Sequence, residues 1–216
     1  VTSNLITALE PDPRRAGAVR VLVAGELFGT VSEETVRAER LAVGRALDEA
    51  LADRLLQAAD AEAAFRTVLR SLEVRSYARR DLARRLVRKG HPRAAVDHAI
   101  ERVASLGLLD DAAFARNFVQ TRAARGRGPA RLVRDLMAMG VDRSVVDAAV
   151  AAEWDADDGR DRADVPRALA AKRAAQLGPL PRDVKRRRLL AYLARRGFTG
   201  TEALRAVEQA VDRAAS

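Results

Sequence analysis

Four consecutive cations, Lys185-Arg186-Arg187-Arg188, stand at the head of a predicted helix. That position is electrostatically unfavourable, because the free N–H groups of a helix start already carry partial positive charge. Successive helical residues also point about 100° apart, so the four cannot all pack inward. A local cost with no local gain points to an anionic partner, and Arg195 and Arg196 extend the same region. A second cluster, Arg122, Arg125, Arg127, Arg131 and Arg134, surrounds Gly126-Arg127-Gly128-Pro129. Pro129 suits the first turn of a helix. Free N–H groups there, with flanking guanidiniums, could hold a phosphate or carboxylate; a plain structural turn accounts for the same residues equally well. In a third cluster, Arg84, Arg85, Arg88 and Lys89, helical spacing puts Asp81, Arg84, Arg85 and Arg88 on one polar face. That face is either a partner surface or a solvated helix side.

Material for other chemistry is sparse. Cysteine is absent, which excludes disulfides, thiolate metal sites and cysteine nucleophiles. The two histidines, His91 and His98, are too few for a zinc site or a histidine relay. His91 follows a helix stop and reads as a surface or capping residue. Asp110 and Asp111 read as a helix start, where carboxylates accept from free N–H groups. Asp155, Asp157, Asp158, Asp161 and Asp164 imitate a calcium loop, but Arg160 and Pro166 stand where its glycine and glutamate belong. The pattern G-x-x-x-x-G-K-[ST], which cradles nucleotide phosphates, does not occur. No catalytic residue, metal or cofactor is expected, and the chain reads as a non-enzyme.

Composition supports a binding role. Lys and Arg number 39 against 30 acids, a net charge of +9 and a pI near 11.0. The charge is uneven: residues 1–63 hold 7 arginines and 11 acids, a net of −4, and residues 64–216 carry a net of +13. Such a chain should seek a polyanion or an acidic protein surface. Only three of the bases are lysines, a bias that a GC-rich coding sequence produces without functional meaning. Apolar residues make up 48%, enough for a core, whereas 4% aromatics leave little surface for stacking bases. No apolar run approaches the roughly 18 residues of a membrane span, and no basic-then-apolar leader opens the sequence. A soluble cytoplasmic protein with no membrane partner is expected.

The elements that must position these residues can be read from periodicity. Leu5–Leu9 and Val19–Val23 read as strands, the first ended by Pro11 and Pro13. Ala24-Gly25 is a two-residue turn returning along Leu27–Val31. Ser32 caps a helix running to Arg40, Gly44 breaks it, and Asp48 starts a helical stretch to about Ala59. Beyond residue 62 helical spacing takes over. Leu82, Leu86 and Gly90 are spaced by four and four; so are Leu132, Leu136 and Gly140, and Leu189, Leu193 and Gly197. Each glycine suits the left-handed residue that ends a helix. Apolar positions follow six and ten residues later: Val96 and Ile100, Val146 and Val150, Ala203 and Val207. A preceding helix, at about 62–73, 111–123 and 165–176, completes each unit, and Phe114, Phe118 and Trp154 are expected in the core of the second.

The expected fold is therefore mainly α: an elongated array of three tandem three-helix repeats preceded by a small N-terminal β-hairpin and helix extension. Its parts are an extension over 1–63, repeats over 64–109, 110–154 and 165–216, and an acidic linker over 155–164. At two helix layers of 8–10 Å per unit, three units would span about 60 Å.

Gly107-Leu108-Leu109-Asp110-Asp111-Ala112-Ala113-Phe114-Ala115 makes the chain recognisable, and the pattern continues through Arg122-Ala123-Ala124-Arg125-Gly126-Arg127-Gly128-Pro129. It recurs at Arg88-Lys89-Gly90 and at Tyr192-Leu193-Ala194-Arg195-Arg196-Gly197-Phe198. In order and spacing these motifs resemble the RecX family, regulators of the bacterial RecA recombinase, over roughly residues 64–216. Ala78 and Ala112 depart from the family pattern, which often has Ser and an acid there. The resemblance implies a monomer that lies along the groove of the RecA–DNA filament and slows or reverses its growth. It also implies damping of recombinase, ATPase and co-protease activity, by contact and without catalysis. The basic residues of the three clusters, with Arg195 and Arg196, are the expected contacts to RecA or, weakly or within the filament, to single- or double-stranded DNA. The alternative is a stand-alone basic helical-repeat DNA-binding protein.

Overall fold

Alternation of Val19, Val21 and Val23 with Arg20 and Leu22 places one face of a strand inward, and the computed structural model, which describes residues 4–155 and 160–213, shows the result. Strands β1 (Ile6–Pro11), β2 (Ala18–Val23) and β3 (Glu26–Ser32) form an antiparallel sheet in the order β1-β2-β3. The expected hairpin is its β2–β3 half; β1 adds a third strand by pairing with β2 from Ile6–Val23 to Pro11–Val19. Ala24 and Gly25 turn the hairpin with φ of +50° and +83°, the left-handed pair that a tight two-residue turn requires. Ile6, Val21 and Val31 pack with Leu41, Leu47, Leu51 and Leu55 in a small core.

Ser32 caps α1 (Glu33–Ala38), its Oγ accepting from the Thr35 N–H at 3.1 Å. Asp48 caps α2 (Glu49–Val74) in the same way, accepting from the Leu51 N–H at 2.7 Å. The helices expected at 48–59 and 62–73 are thus one. Asp60-Ala61-Glu62-Ala63 contains no Gly or Pro, so nothing stops propagation. The change of charge near residue 63 falls inside α2. One end of this helix, Leu51 and Leu55, serves the sheet; the other, Ala64, Phe65 and Val68, serves the first helix triplet.

That triplet is completed by α3 (Arg79–Arg88) and α4 (Arg93–Ser105), which bury Leu82, Leu86, Val96, Ala99, Ile100 and Val103. The second comprises α5 (Asp111–Ala123), α6 (Pro129–Met139) and α7 (Arg143–Asp155); the third comprises α8 (Arg160–Gln176), α9 (Arg182–Arg196) and α10 (Gly200–Asp212). The chain divides into two compact units, Val1–Leu109 and Asp110–Ser216. The stop glycines Gly90, Gly140 and Gly197 have φ of +92°, +86° and +95°, the left-handed backbone their spacing anticipated.

Two local expectations need correction. Within the stretch expected as an acidic linker over 155–164, the described residues are helical: α7 runs to Asp155 and α8 already starts at Arg160, while residues 156–159, Asp157 and Asp158 among them, lie outside the described residues. Arg160 to Asp164 carry no breaker, so the helix begins before Pro166. Phe114, Phe118 and Trp154 are half-buried rather than core residues. The two phenyl rings lie 6.1 Å apart at the edge, and the interior of α5 is filled by Ala115 and Val119. Ala115 and Val119 are fully buried on α5, which packs against α7, and Phe114 and Phe118 flank that face. No helix among the described residues is long and apolar enough to cross a membrane.

Candidate anion-binding surfaces

On α3 the stripe of Leu82 and Leu86 faces the core, so the residues between must face out. Arg84, Arg85, Arg88 and Lys89 are all exposed. Asp81 sits one turn back, with Arg84 Nη2 and Arg85 Nε at 3.7 and 3.2 Å from its carboxylate. Exposed pairs of this kind contribute about 0–1 kcal/mol and dissolve easily in favour of a better anion. Arg85 also lies over the ring of Tyr77, 5.2 Å from its centre, and Arg75 lies 3.9 Å from the same centre. The aromatic ring thereby holds two guanidiniums at one end of the polar face.

In the second unit the start of α6 meets the end of α9. Gly128 donates its N–H to the carbonyl of Arg196 at 2.8 Å, and Ala130 donates to the carbonyl of Gly197 at 3.2 Å. Helix N–H groups that could have held an anion are thus satisfied by the carbonyls that α9 leaves unpaired at its end. Positive and negative helix ends meet, which is favourable for both dipoles. The arginines around this joint are drawn together with it. Arg122, Arg125, Arg127, Arg131, Arg195 and Arg196 line one concavity of ≈ 470 Å³. Arg134, from the same sequence cluster, is exposed on α6 and not part of the lining. Asp135, one turn beyond Arg131, holds Arg127 Nη1 at 2.7 Å and Arg131 Nε at 2.8 Å. Arg131 Nε lacks the alignment of a hydrogen bond, so that contact is Coulombic.

The run at the head of α9 is not presented as four cations. Lys185 is 8% exposed and faces inward beside Leu189. Arg186 turns to α10 and donates to Glu208 at 2.5 Å. Arg187 and Arg188 are exposed. A helical step of about 100° per residue distributes consecutive side chains in this way. Arg182 also reaches α10, at 2.6 Å from Asp212 and 3.2 Å from Glu208, and its hydrogen bond to Asp212 holds the guanidinium's pKa above its ordinary value. Asp110 caps α5 as expected. Its carboxylate accepts from the N–H groups of Ala113 and Ala112 at 2.9 and 2.8 Å, and the Ala113 bond leads in holding its pKa below the usual value. His91 Nε2 lies 3.1 Å from the Thr67 hydroxyl, a structural contact. No group of three or more His, Asp or Glu fit to hold a metal occurs among the described residues.

Known proteins resemble this chain in sequence and in fold. A protein of Mycobacterium ulcerans (strain Agy99) named "Regulatory protein RecX" is 37% identical over 142 residues, covering 64% of this chain and 79% of the relative. One of the same name from Halorhodospira halophila is 36% identical over 157 residues, covering 71% of this chain and 91% of the relative. The chain belongs to the RecX family. The family model described as "RecX, second three-helix domain" matches residues 110–150, which are α5 to α7 up to Val150. The fold agrees with a solved regulatory protein RecX at a TM-score of 0.76 and 22% identity, over 96% of this chain and 98% of that one. RecX from Lactobacillus salivarius matches at 0.59 and 18% identity, over 71% and 97%.

Much of the RecX-like sequence lies at structural joints. Asp110 starts α5, and Gly126-Arg127-Gly128-Pro129 docks α6 on the Arg196-Gly197 end of α9. Sequence reasoning named the concavity's arginines but not their assembly, nor Asp135. The four-residue spacing of Arg131 and Asp135 was the available signal for that pair. For the docking of Gly128 on Gly197, distant in the chain, no local signal exists.

Proposed function

We propose that this chain regulates the RecA recombinase by binding the RecA–DNA filament along its groove. It acts as a cytoplasmic monomer and inhibits recombinase, ATPase and co-protease activity by contact, without chemistry of its own. Membership of the RecX family is the observation that carries this reading. The exposed cations of α3 and the arginine-lined concavity of the second unit supply the means. The DNA within such a filament is a repeating polyanion, and guanidiniums bind phosphate and carboxylate through paired N–H donors.

Cosedimentation with RecA filaments on single-stranded DNA tests the proposal. Charge reversal at Arg84, Arg85 and Arg88 should release the protein from the pellet, and so should reversal at Arg187 and Arg188 if α9 also touches the filament. Binding to bare DNA that RecA leaves unchanged would favour the stand-alone DNA-binding reading instead.

A further inference from the structure

Six guanidiniums around one concavity repel each other. Local contacts offset only part of the charge. Asp135 serves Arg127 and Arg131. Arg122 lies 5.0 Å over Phe118, and Arg196 lies 5.1 Å over Tyr192 with Nη1 3.4 Å from the Gly126 carbonyl. Arg125 and Arg195 are exposed and make no ion pair with a described residue. The cluster is nonetheless held in place, because the backbone bonds from Gly128 and Ala130 to Arg196 and Gly197 clamp its two sides together.

We propose that this concavity is a binding site for phosphate groups, supplied by a nucleic-acid backbone or by a free oligophosphate. This deepens the reading above, on which its biological purpose rests. The lining favours phosphate over an acidic polypeptide. All six lining residues are arginine, so there is no apolar pocket for a peptide side chain, whereas protein interfaces are built on apolar and aromatic anchors. The lining also has no aromatic ring for a base to stack on, so contact is to the backbone and independent of sequence. Consecutive phosphates match several planar N–H forks at once.

The test uses the full chain without RecA, so its outcome is separate from that of the filament assay. Binding of tripolyphosphate and of a single-stranded oligonucleotide is followed by calorimetry and fluorescence anisotropy across salt concentrations. Two double variants are compared: Arg125→Ala with Arg195→Ala in the concavity, and Arg205→Ala with Arg213→Ala, which removes equal charge from the exposed side of α10 and its end. The concavity variant should bind at least tenfold more weakly than the control. Its plot of log affinity against log salt should be shallower by about 1.4 for the oligonucleotide, at about 0.7 per lost phosphate contact. Loss with the oligonucleotide alone assigns the site to a nucleic-acid backbone; loss with both probes assigns it to phosphate from either source. Equal losses in the two variants, or an oligoglutamate peptide binding through Arg125 and Arg195 as tightly as tripolyphosphate, would overturn the proposal. If phosphate binding fails while filament binding persists, only this inference falls.

Discussion

The N–H of Gly128 donates to the carbonyl of Arg196 over 2.8 Å, and there is no space for a side chain on either side of the joint. A Cβ on Gly128 would stand 2.6 Å from the carbonyl atoms of Gly197, and one on Gly197 would stand 2.4 Å from the backbone N of Arg131. These neighbours are backbone and cannot swing away. Gly128→Ala should lower the stability of the second unit by about 1–3 kcal/mol through overpacking. Gly197→Ala should cost more, because φ of +95° adds strain. Urea unfolding of both variants measures this; wild-type midpoints would refute the joint.

Burial, rather than surface charge, should dominate stability. Leu86, Leu136 and Leu193 are each fully buried in the equivalent helix of their triplet. Replacing any one with Ala should cost about 2–5 kcal/mol. Asp147→Asn breaks an exposed pair with Arg143, whose contact is 2.7 Å, yet should cost under about 0.5 kcal/mol. The same denaturation series ranks the four variants, and a reversed order would contradict the packing described.

The Asp110 cap gives a pH dependence of known sign. Its folded pKa is depressed, chiefly by the Ala113 N–H, so its stabilisation is complete above the ordinary carboxylate pKa. The contribution is lost as pH falls through the depressed value. Asp110→Ala should therefore lower the melting temperature by a few degrees at neutral pH and by progressively less in strong acid. A gap between wild type and variant that does not change with pH would exclude the carboxylate as the cap.

Asp135 competes with any incoming anion for Arg127 and Arg131. Asp135→Asn should raise the affinity for tripolyphosphate severalfold in calorimetry. Unchanged affinity would show that these two arginines take no part in the concavity's binding.

Much of the fold could be read from short-range pattern. Leu132, Leu136 and Gly140 report a helix face and its stop within nine residues, and the structure buries both leucines and turns the glycine left-handed. The charge break near residue 63 misled, because net charge marks surface and α2 continues beneath it. Lys185 misled for a related reason: four cations in sequence are four directions on a helix, and one of them faces inward. The concavity was out of reach because its arginines meet only when α6 docks on α9. That docking depends on backbone bonds between residues distant in the chain, which no window of sequence contains.

The central claim, that this RecX-family chain restrains RecA by contact, is tested most directly by ATP hydrolysis on preformed RecA–DNA filaments titrated with the protein. Hydrolysis should fall to a plateau as the protein saturates the filament, and charge reversal at Arg84, Arg85 and Arg88 should shift that titration to higher concentration. An undiminished rate at saturating wild-type protein would contradict the account.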